Sequence, residues 1–386
     1  MFMKSNVSRN NNKIILYPSV INARFTYRLN RFVSIVSLNG EEIKVHLPTT
    51  GRLTELLVPD AEVFIAPADN INRNTSYSLV AVYRKGEISV VDSHITNKIF
   101  QKLFKEISLF KNWKIDKAEF TFGKTRFDFL ISKGEQKGIV EVKSCTLLEN
   151  GIASFPDAKS ERAVKHIHSL REARDLGYAS FLVFLITGKA KHFIPNYFQD
   201  EVFFNTFLDN YHKIKIIALS YSVELKNNSL CVYKDLPEVP VPYDVLSSIE
   251  LNRGSYLVVF KLIQEEQIHV GGFGNLFFPS GYYIYTGSAL NNLSKRIERH
   301  KKNNSKKKWH VDYLHPPMKF VREYHFSSMD VECELAEILS SIFSSIKQFG
   351  SSDCKCRSHL FYSKSDPEFI PDFINIIFKM RFNNRY

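Results

Sequence analysis

The sequence predicts a multidomain protein of mixed α/β and α+β class, and three observations carry that expectation. The chain has 386 residues, more than one ordinary domain needs, so two or three domains are expected, each able to bury a core. Strand-like and helix-like segments are unevenly distributed, with an early all-β region and a later mixed one. Between them and the C-terminal part lies Pro237-Glu238-Val239-Pro240-Val241-Pro242, whose alternating prolines read as an extended linker.

Residues 1–13 contain basic and polar residues without an apolar core and are expected to form a disordered tail rather than a secretory signal. Residues 14–100 read as a small barrel of short strands. Phe32–Leu38 and Glu42–Leu47 flank Asn39-Gly40, a hairpin signal, and Val63–Ile65, Tyr77–Tyr83 and Ile88–Val91 follow. Residues 101–236 mix the types. A helix is expected from Ala158 to Leu176, ending before Gly177, then a buried central strand at Phe181–Ile186 and another at Ile214–Leu219. Residues 237–250 are the proline-rich linker and 251–386 a final domain.

The composition restricts function. Hydrophobic residues make up 44% and charged residues 24%, as in globular proteins, but the formal charge is +12. Such a surplus points to a polyanionic partner, nucleic acid first and an acidic membrane surface second. No apolar stretch of about 18 residues occurs, so no membrane span is expected. Five scattered cysteines argue against a disulfide framework and for a cytoplasmic, reducing setting.

The densest chemical signal is a pair of strands, Arg126-Phe127-Asp128-Phe129-Leu130-Ile131 and Ile139-Val140-Glu141-Val142-Lys143. Alternation predicts that Phe127, Phe129, Ile131, Val140 and Val142 share a buried face, leaving Asp128, Glu141 and Lys143 together on the other. An acid facing Glu-x-Lys is a minimal kit for metal-dependent phosphodiester hydrolysis. The acids hold Mg²⁺ or Mn²⁺ through oxygen, and the lysine sits beside the attacking water or the developing charge. The competing interpretation is a solvated hairpin with a surface ion pair.

Several ordered segments resemble the sugar fermentation stimulation protein family over about 235 residues. They are Arg28-Leu29-Asn30-Arg31-Phe32, His46-Leu47-Pro48 with Gly51-Arg52-Leu53-x-Glu55-Leu56-Leu57, Thr125–Leu130, Val140–Ser144, and Phe155-Pro156-Asp157-Ala158 with Glu161-Arg162 and Lys165-His166. Leu29, Thr49 and Ala163 depart from the family pattern without touching the acid–lysine set. The resemblance implies an OB-like barrel, then a domain similar to PD-(D/E)XK nucleases, with DNA-binding activity. It implies Asp128 and Glu141 as metal ligands, Glu119 as an outer acid, and Lys143 as the group that orients water. Arg28, Arg31, Arg52, Arg126, Arg162, Lys165 and His166 are candidate nucleic-acid contacts; Arg162 and Lys165 also fit an exposed helix face, and His46 and His166 also fit structural donors.

The C-terminal part resembles the GIY-YIG nuclease superfamily, in the branch carrying a Trp-His-x-Asp-Tyr motif, over about 100 residues. The matching residues are Gly254-Ser255-Tyr256, Tyr285-Thr286-Gly287, Leu293–His300 and Trp309–Tyr313. The resemblance implies an α+β domain with Tyr256, Tyr285, Arg296 and His300 as catalytic groups. Arg296 and His300, four apart, share a helix face, where an arginine can stabilise the charge of a phosphate in the transition state. The metal carboxylate is expected at Glu332, with Glu334 next. Ser255 and Thr286 replace isoleucines at positions expected to point away from the site. Residues 291–310 hold eight Lys/Arg and one Glu, a formal +7, and Lys295 and Arg299 are candidate phosphate contacts. Cys333, Cys354, Cys356 and His359 could form a Cys₃His zinc site.

The expected function is therefore that of a DNA-binding protein with nuclease-like domains and Mg²⁺-dependent phosphodiester hydrolysis, DNA being favoured over RNA. The alternatives are a non-catalytic DNA-binding regulator of sugar-metabolism genes and an RNA-processing nuclease.

Overall fold

The computed structural model describes residues 12–49, 51–68, 73–302 and 307–383. They form two compact units. The first runs to Asn196 and adds Val202–Tyr243; the second holds Tyr197–Glu201 and the chain from Asp244 onward. Most of the expected tail lies outside the described residues, but Lys13 already opens strand β1 (Lys13–Tyr17).

Strands β2 (Ile21–Asn30), β3 (Val33–Leu38), β4 (Glu41–His46), β5 (Glu62–Pro67), β6 (Tyr77–Arg84) and β7 (Glu87–Val90) form one sheet in the order β4-β3-β2-β5-β6-β7. β4 also pairs with β6, through His46 and Ser78, which closes five strands into an OB-like barrel. Asn39 and Gly40 join β3 to β4 with φ of 53° and 89°, the two positive values that a tight hairpin needs. Inward-facing Phe25, Val36, Val45, Val63, Ile65, Leu79 and Val82 fill the interior.

Helix α1 (Ser93–Leu103) follows. Asp92 caps it, accepting from the His94 N–H. The remaining elements of the unit are β8 (Lys114–Phe122), β9 (Thr125–Lys133), β10 (Gln136–Cys145), β11 (Leu147–Glu149), β12 (Ile152–Phe155), α2 (Glu161–Asp175), β13 (Ala179–Thr187), β14 (His192–Pro195), α3 (Glu201–Asn210), β15 (Lys215–Tyr221), β16 (Val223–Lys226) and β17 (Ser229–Tyr233). Five of these strands build a mixed sheet, β15-β13-β10-β9-β8. β8, β9 and β10 run antiparallel; β10, β13 and β15 run parallel. α1 covers one face through Ile99, Phe100 and Leu103, and α2 and α3 cover the other through Ala163, Ile167, Leu170, Phe203 and Phe207. With both faces covered, β13 is apolar throughout rather than alternating. β1 pairs with β17 in a small separate sheet. The break expected at residue 100 falls inside α1, whose apolar stripe packs on this sheet.

The proline-rich stretch is extended, as its composition predicts, but it is docked rather than free. Val239 donates to the Ala218 carbonyl at 2.8 Å, Ser220 and Phe193 donate to the carbonyls of Pro237 and Pro240 at 3.0 Å each, and Val239 is buried. Prolines lack the N–H but keep the carbonyl, so alternate prolines can still line the edge of a sheet.

The second unit resumes at Asp244, within α4 (Tyr243–Ser247). Its elements are β18 (Gly254–Leu262), β19 (Glu266–His269), β20 (Asn275–Phe278), β21 (Gly281–Ala289), α5 (Leu293–Lys301), β22 (Lys319–Ser327), α6 (Glu332–Ser340), β23 (Ser344–Ser345), β24 (Leu360–Ser363) and α7 (Pro371–Arg381). The main sheet is antiparallel in the order β22-β18-β21-β24-β23. One face sets Tyr256, Val258, Phe260, Tyr283 and Tyr285 against Leu293 and Ile297 of α5.

Candidate functional sites

The first cluster forms where β9 and β10 separate. Their ladder ends at Phe129 and Val140. The next pairing bond comes from a side chain instead: Asp128 Oδ2 accepts the Val142 N–H at 2.7 Å, and Asp128 Oδ1 accepts from Asn97 Nδ2 of α1 at 2.6 Å. The expected single apolar face is split by this change. Phe129, Ile131, Val140 and Val142 pack toward α1, whereas Phe127 packs with Ile139 on the α2 side. The opposite face is not solvated either, because α2 lies over it and Glu141 is 2% exposed. A surface ion pair is thereby excluded.

Glu141 Oε1 receives Lys143 Nζ at 2.5 Å and His166 Nδ1 at 2.5 Å. Arg162 Nε lies 3.5 Å from His166 Nε2. Burial lowers the imidazole's proton affinity more than Glu141 raises it. A neutral ring here carries its proton on Nδ1, toward Glu141, and accepts from Arg162 at Nε2. Glu141 and Asp128 diverge as neighbouring acids do. Burial works against the Glu141 charge, yet Lys143 and His166 together hold it below the usual carboxylate range. Burial and then the Glu141 charge push Asp128 up to about 6, despite its two donors.

Glu141 Oε2 is buried and has no hydrogen-bond partner among the described residues. An unsatisfied carboxylate oxygen in the interior is costly unless a cation or water completes it. Glu141 and its electrostatic neighbour Asp128 offer hard carboxylate oxygens, which fit Mg²⁺, Mn²⁺ or Ca²⁺ better than a softer ion.

The other residues expected around this cluster separate by role. Glu119 is exposed and pairs with Arg126 at 3.8 Å, away from the buried acids. His166 lies on the sheet-facing side of α2, 3% exposed, with its Nδ1 turned to Glu141. Arg28 is a clamp: it donates to the carbonyls of Gly51 and Arg52 at 2.8 Å each and of Arg31 at 2.7 Å. The loop it holds wraps Asp157, whose Oδ2 accepts from the Leu53 N–H at 3.3 Å. A Cβ on Gly51 would meet that oxygen at 2.4 Å, so a side chain there would displace the carboxylate. Arg31, Arg52, Arg126, Arg162 and Lys165 are exposed, with Lys165 Nζ 3.3 Å from the Lys124 carbonyl. His46 is half-buried and its Nδ1 has no partner among the described residues; burial keeps the ring neutral.

The second cluster lies on β18, β21, α5 and α6. Tyr256 stands opposite Gly287 in the ladder and Val258 opposite Tyr285, so the two tyrosines are diagonal neighbours on one face. A Cβ on Gly287 would meet the Tyr256 hydroxyl at 2.4 Å; the glycine is what admits the ring. Tyr256 Oη and His300 Nε2 are 2.8 Å apart. Burial holds the protons on both phenols, and it lowers His300 to about 4. Tyr256 therefore donates and the neutral His300 accepts. Arg296 and Arg299 lie over the Trp309 ring, 4.4 and 4.8 Å from its centre. Arg299 is also paired with Asp312 at 2.6 Å, while Lys295 is exposed.

Glu332, on the first turn of α6, accepts from Ser288 Oγ and lies 2.9 Å from His359 Nδ1 in a close, bent contact. Glu334 is exposed. Ser255, expected to point away from the site, is fully buried and its Oγ accepts the Val331 N–H at 2.9 Å, which seats the start of α6. Thr286 is also fully buried, and its hydroxyl has no partner among the described residues. Cys333, Cys354, Cys356 and His359 converge, with ligand atoms all within 4.8 Å of one another, and could hold a metal ion.

Sequence reasoning missed Asn97, Ser255 and Ser288. Asn97 had a readable signal: the Asp92-Ser93 cap and the helical spacing of Ile95, Ile99, Phe100 and Leu103. The two serines had none, since each acts on a residue distant in the chain.

Comparison with known proteins agrees with this architecture. Residues 27–91 match the profile described as SfsA N-terminal OB domain, residues 94–228 the sugar fermentation stimulation protein RE domain, and residues 255–381 the domain of unknown function DUF123. The sugar fermentation stimulation protein homolog of Clostridium kluyveri is 39% identical over 194 residues, covering 49% of this chain and 84% of that protein. The homolog of Desulfitobacterium hafniense strain DCB-2 is 38% identical over 209 residues, covering 54% and 91%. The solved structure of Pyrococcus furiosus SfsA in complex with Ca²⁺ aligns over 59% of this chain and 99% of its own, with a TM-score of 0.54 and 25% identity. The chain thus belongs to the sugar fermentation stimulation protein family and adds to it a C-terminal DUF123 domain.

Proposed function

We propose that this protein binds nucleic acid, DNA in preference to RNA, and that Asp128 and Glu141 hold a divalent cation for phosphodiester hydrolysis. The observation that carries this is the buried, unpartnered Glu141 Oε2 beside Asp128. The Ca²⁺ complex of the Pyrococcus relative lends support, as does the +12 formal charge. When bound, Mg²⁺ or Mn²⁺ would supply Lewis acidity and lower the pKa of a water. The protein's own contribution is positional. Asn97 and the Val142 N–H orient Asp128, His166 orients Glu141, and Lys143 places a positive charge where phosphate oxygens gain negative charge. Exposed Arg52, Arg126, Arg162 and Lys165 would hold the backbone of the polymer. A reducing, cytoplasmic setting is part of the proposal, supported by five unpaired cysteines.

The second cluster supports a second hydrolytic centre of GIY-YIG type. Tyr256 can relay a proton, its hydroxyl passing its own proton to the neutral His300 Nε2 as the phenol oxygen takes one from the attacking water. Arg296 would stabilise the phosphate, and Glu332 would hold a cation. A non-catalytic, DNA-binding role is favoured by a different observation: Glu141 Oε1 is already engaged by both Lys143 and His166, an arrangement that can bind without cutting.

Labelled DNA and RNA, incubated with Mg²⁺ or with chelator, separate these cases. Cleavage that needs metal and disappears in Glu141→Ala, or in Glu332→Ala, assigns the responsible centre; Lys143→Ala should slow the first about a hundredfold. Retarded bands with intact nucleic acid in every lane would overturn hydrolysis and leave the binding role.

A further inference from the structure

We propose that Cys333, Cys354, Cys356 and His359 bind one zinc ion, and that His359 couples this ion to Glu332, so that the metal centre positions the carboxylate. The coupling rests on Glu332 being the functional acid of the C-terminal domain; the metal site does not.

The donor atoms are already near their places. Tetrahedral zinc, with bonds of about 2.3 Å to sulfur and 2.05 Å to nitrogen, requires S···N edges of about 3.6 Å and S···S edges of about 3.8 Å. Cys354 Sγ and His359 Nε2 are 3.4 Å apart, and all four donor atoms lie within 4.8 Å of one another. The scaffold that brings them together is rigid on two sides. Cys333 sits on the first turn of α6, which Ser255 seats through the Val331 N–H. Cys354 and Cys356 lie on the loop leading into β24, where Gln348 donates to the Arg357 carbonyl and His359 to the Phe349 carbonyl, both at 2.8 Å. The His359 carbonyl in turn accepts the Thr286 N–H at 2.9 Å, tying the loop to β21.

Three thiolates and an imidazole are a soft-to-borderline set that suits zinc and not Mg²⁺ or Ca²⁺. Bound zinc would leave the set with a formal charge of −1. Exposed Lys355 and Arg357 flank it and offset that charge. His359 is the link. Its ring is 2% exposed, with Nε2 toward the sulfurs and Nδ1 2.9 Å from Glu332 Oε1. A zinc-bound histidine commonly gives its other N–H to a carboxylate, which orients the ring and makes it a better ligand. Here the carboxylate within reach is that of Glu332, adjacent to the ligand Cys333, and a small turn of the ring on binding zinc would align its N–H with that oxygen. Ser288 holds the other oxygen of the same carboxylate, so filling the zinc site would fix Glu332 from both sides.

The test uses the full-length chain purified under reductant. Elemental analysis should find about one zinc per chain, and cobalt exchange should give the thiolate charge-transfer and tetrahedral ligand-field absorption bands. Cys354→Ser with Cys356→Ser should lose both. His359→Cys keeps four ligands and should retain zinc, which separates loss of a ligand from loss of the fold. Linkage supplies the second readout. Glu332→Gln should weaken zinc about 10- to 100-fold, measured by competition with a chromophoric chelator. Zinc-free protein with no thiolate–cobalt bands, whether its cysteines are free or disulfide-bonded, overturns the site. Bound zinc of equal affinity in wild type and Glu332→Gln overturns the coupling. Neither readout requires cleavage, so absent hydrolysis would count against the proposed activity and not against the metal centre.

Discussion

At the scale of single residues, buried acids and tight glycines dominate the molecule's chemistry. Glu55 is 2% exposed and its Oε1 has no partner among the described residues. Burial, reinforced by Asp157, pushes it up to about 7 from its ordinary 4.5. Between those values the folded chain holds a proton that the unfolded chain has released, so stability falls as pH rises from about 4.5 to about 7. The loss should reach at most about 3 kcal/mol. Glu55→Gln should flatten this dependence and raise Tm at pH 8, as thermal unfolding across pH would reveal; a parallel shift at every pH would speak against it. Gly287→Ala would drive a methyl into the Tyr256 phenol, costing about 1–3 kcal/mol and separating Tyr256 from His300. Chemical denaturation would give the cost, and the His300 ring resonances would report the lost contact.

At the scale of elements, helix ends are seated by side chains from elsewhere in the fold. Ser160 caps α2 by accepting from the Ala163 N–H, and Ser160→Ala should cost about 1 kcal/mol. α6 has no cap of its own and depends on Ser255 across from it. Ser255→Ala leaves the half-buried Val331 N–H without its acceptor and should cost about 1 kcal/mol. Because α6 carries both Glu332 and Cys333, that substitution should also loosen zinc, whereas Ser160→Ala should leave zinc affinity unchanged. Denaturant midpoints and chelator competition on the two variants test the contrast.

At the scale of the whole molecule, two units each carry a candidate site and a positive surplus. Binding to a polyanion should therefore weaken steeply with salt. Replacing Lys295 and Lys301 of α5 by glutamine should reduce the slope of log affinity against log salt by about one for each phosphate contact removed. Titration of labelled duplex at several salt concentrations measures this, and an unchanged slope would remove α5 from the interface.

Much of this was legible in the chain itself. The Asn39-Gly40 hairpin, the buried β13 and the convergence of Asp128, Glu141 and Lys143 follow from local periods and turn chemistry, which act over a few residues. Ordered motifs carried the family and the fold of each part, because each motif spans one element. What alternation could not decide was where a ladder ends. Asp128 takes the Val142 N–H that a strand partner would have held, and Phe127 and Phe129 then part to opposite faces. Nor could spacing tell a phosphate contact from an internal clamp: Arg28 spends its donors on backbone carbonyls, and His166 turns inward to Glu141. The sequence offered Cys333, Cys354, Cys356 and His359 as one candidate set, but how closely their donor atoms meet, and the contact of His359 with Glu332, are set by the tertiary structure. Such contacts arise from how a helix and a loop pack on one sheet, and no period within either segment encodes the distance between them.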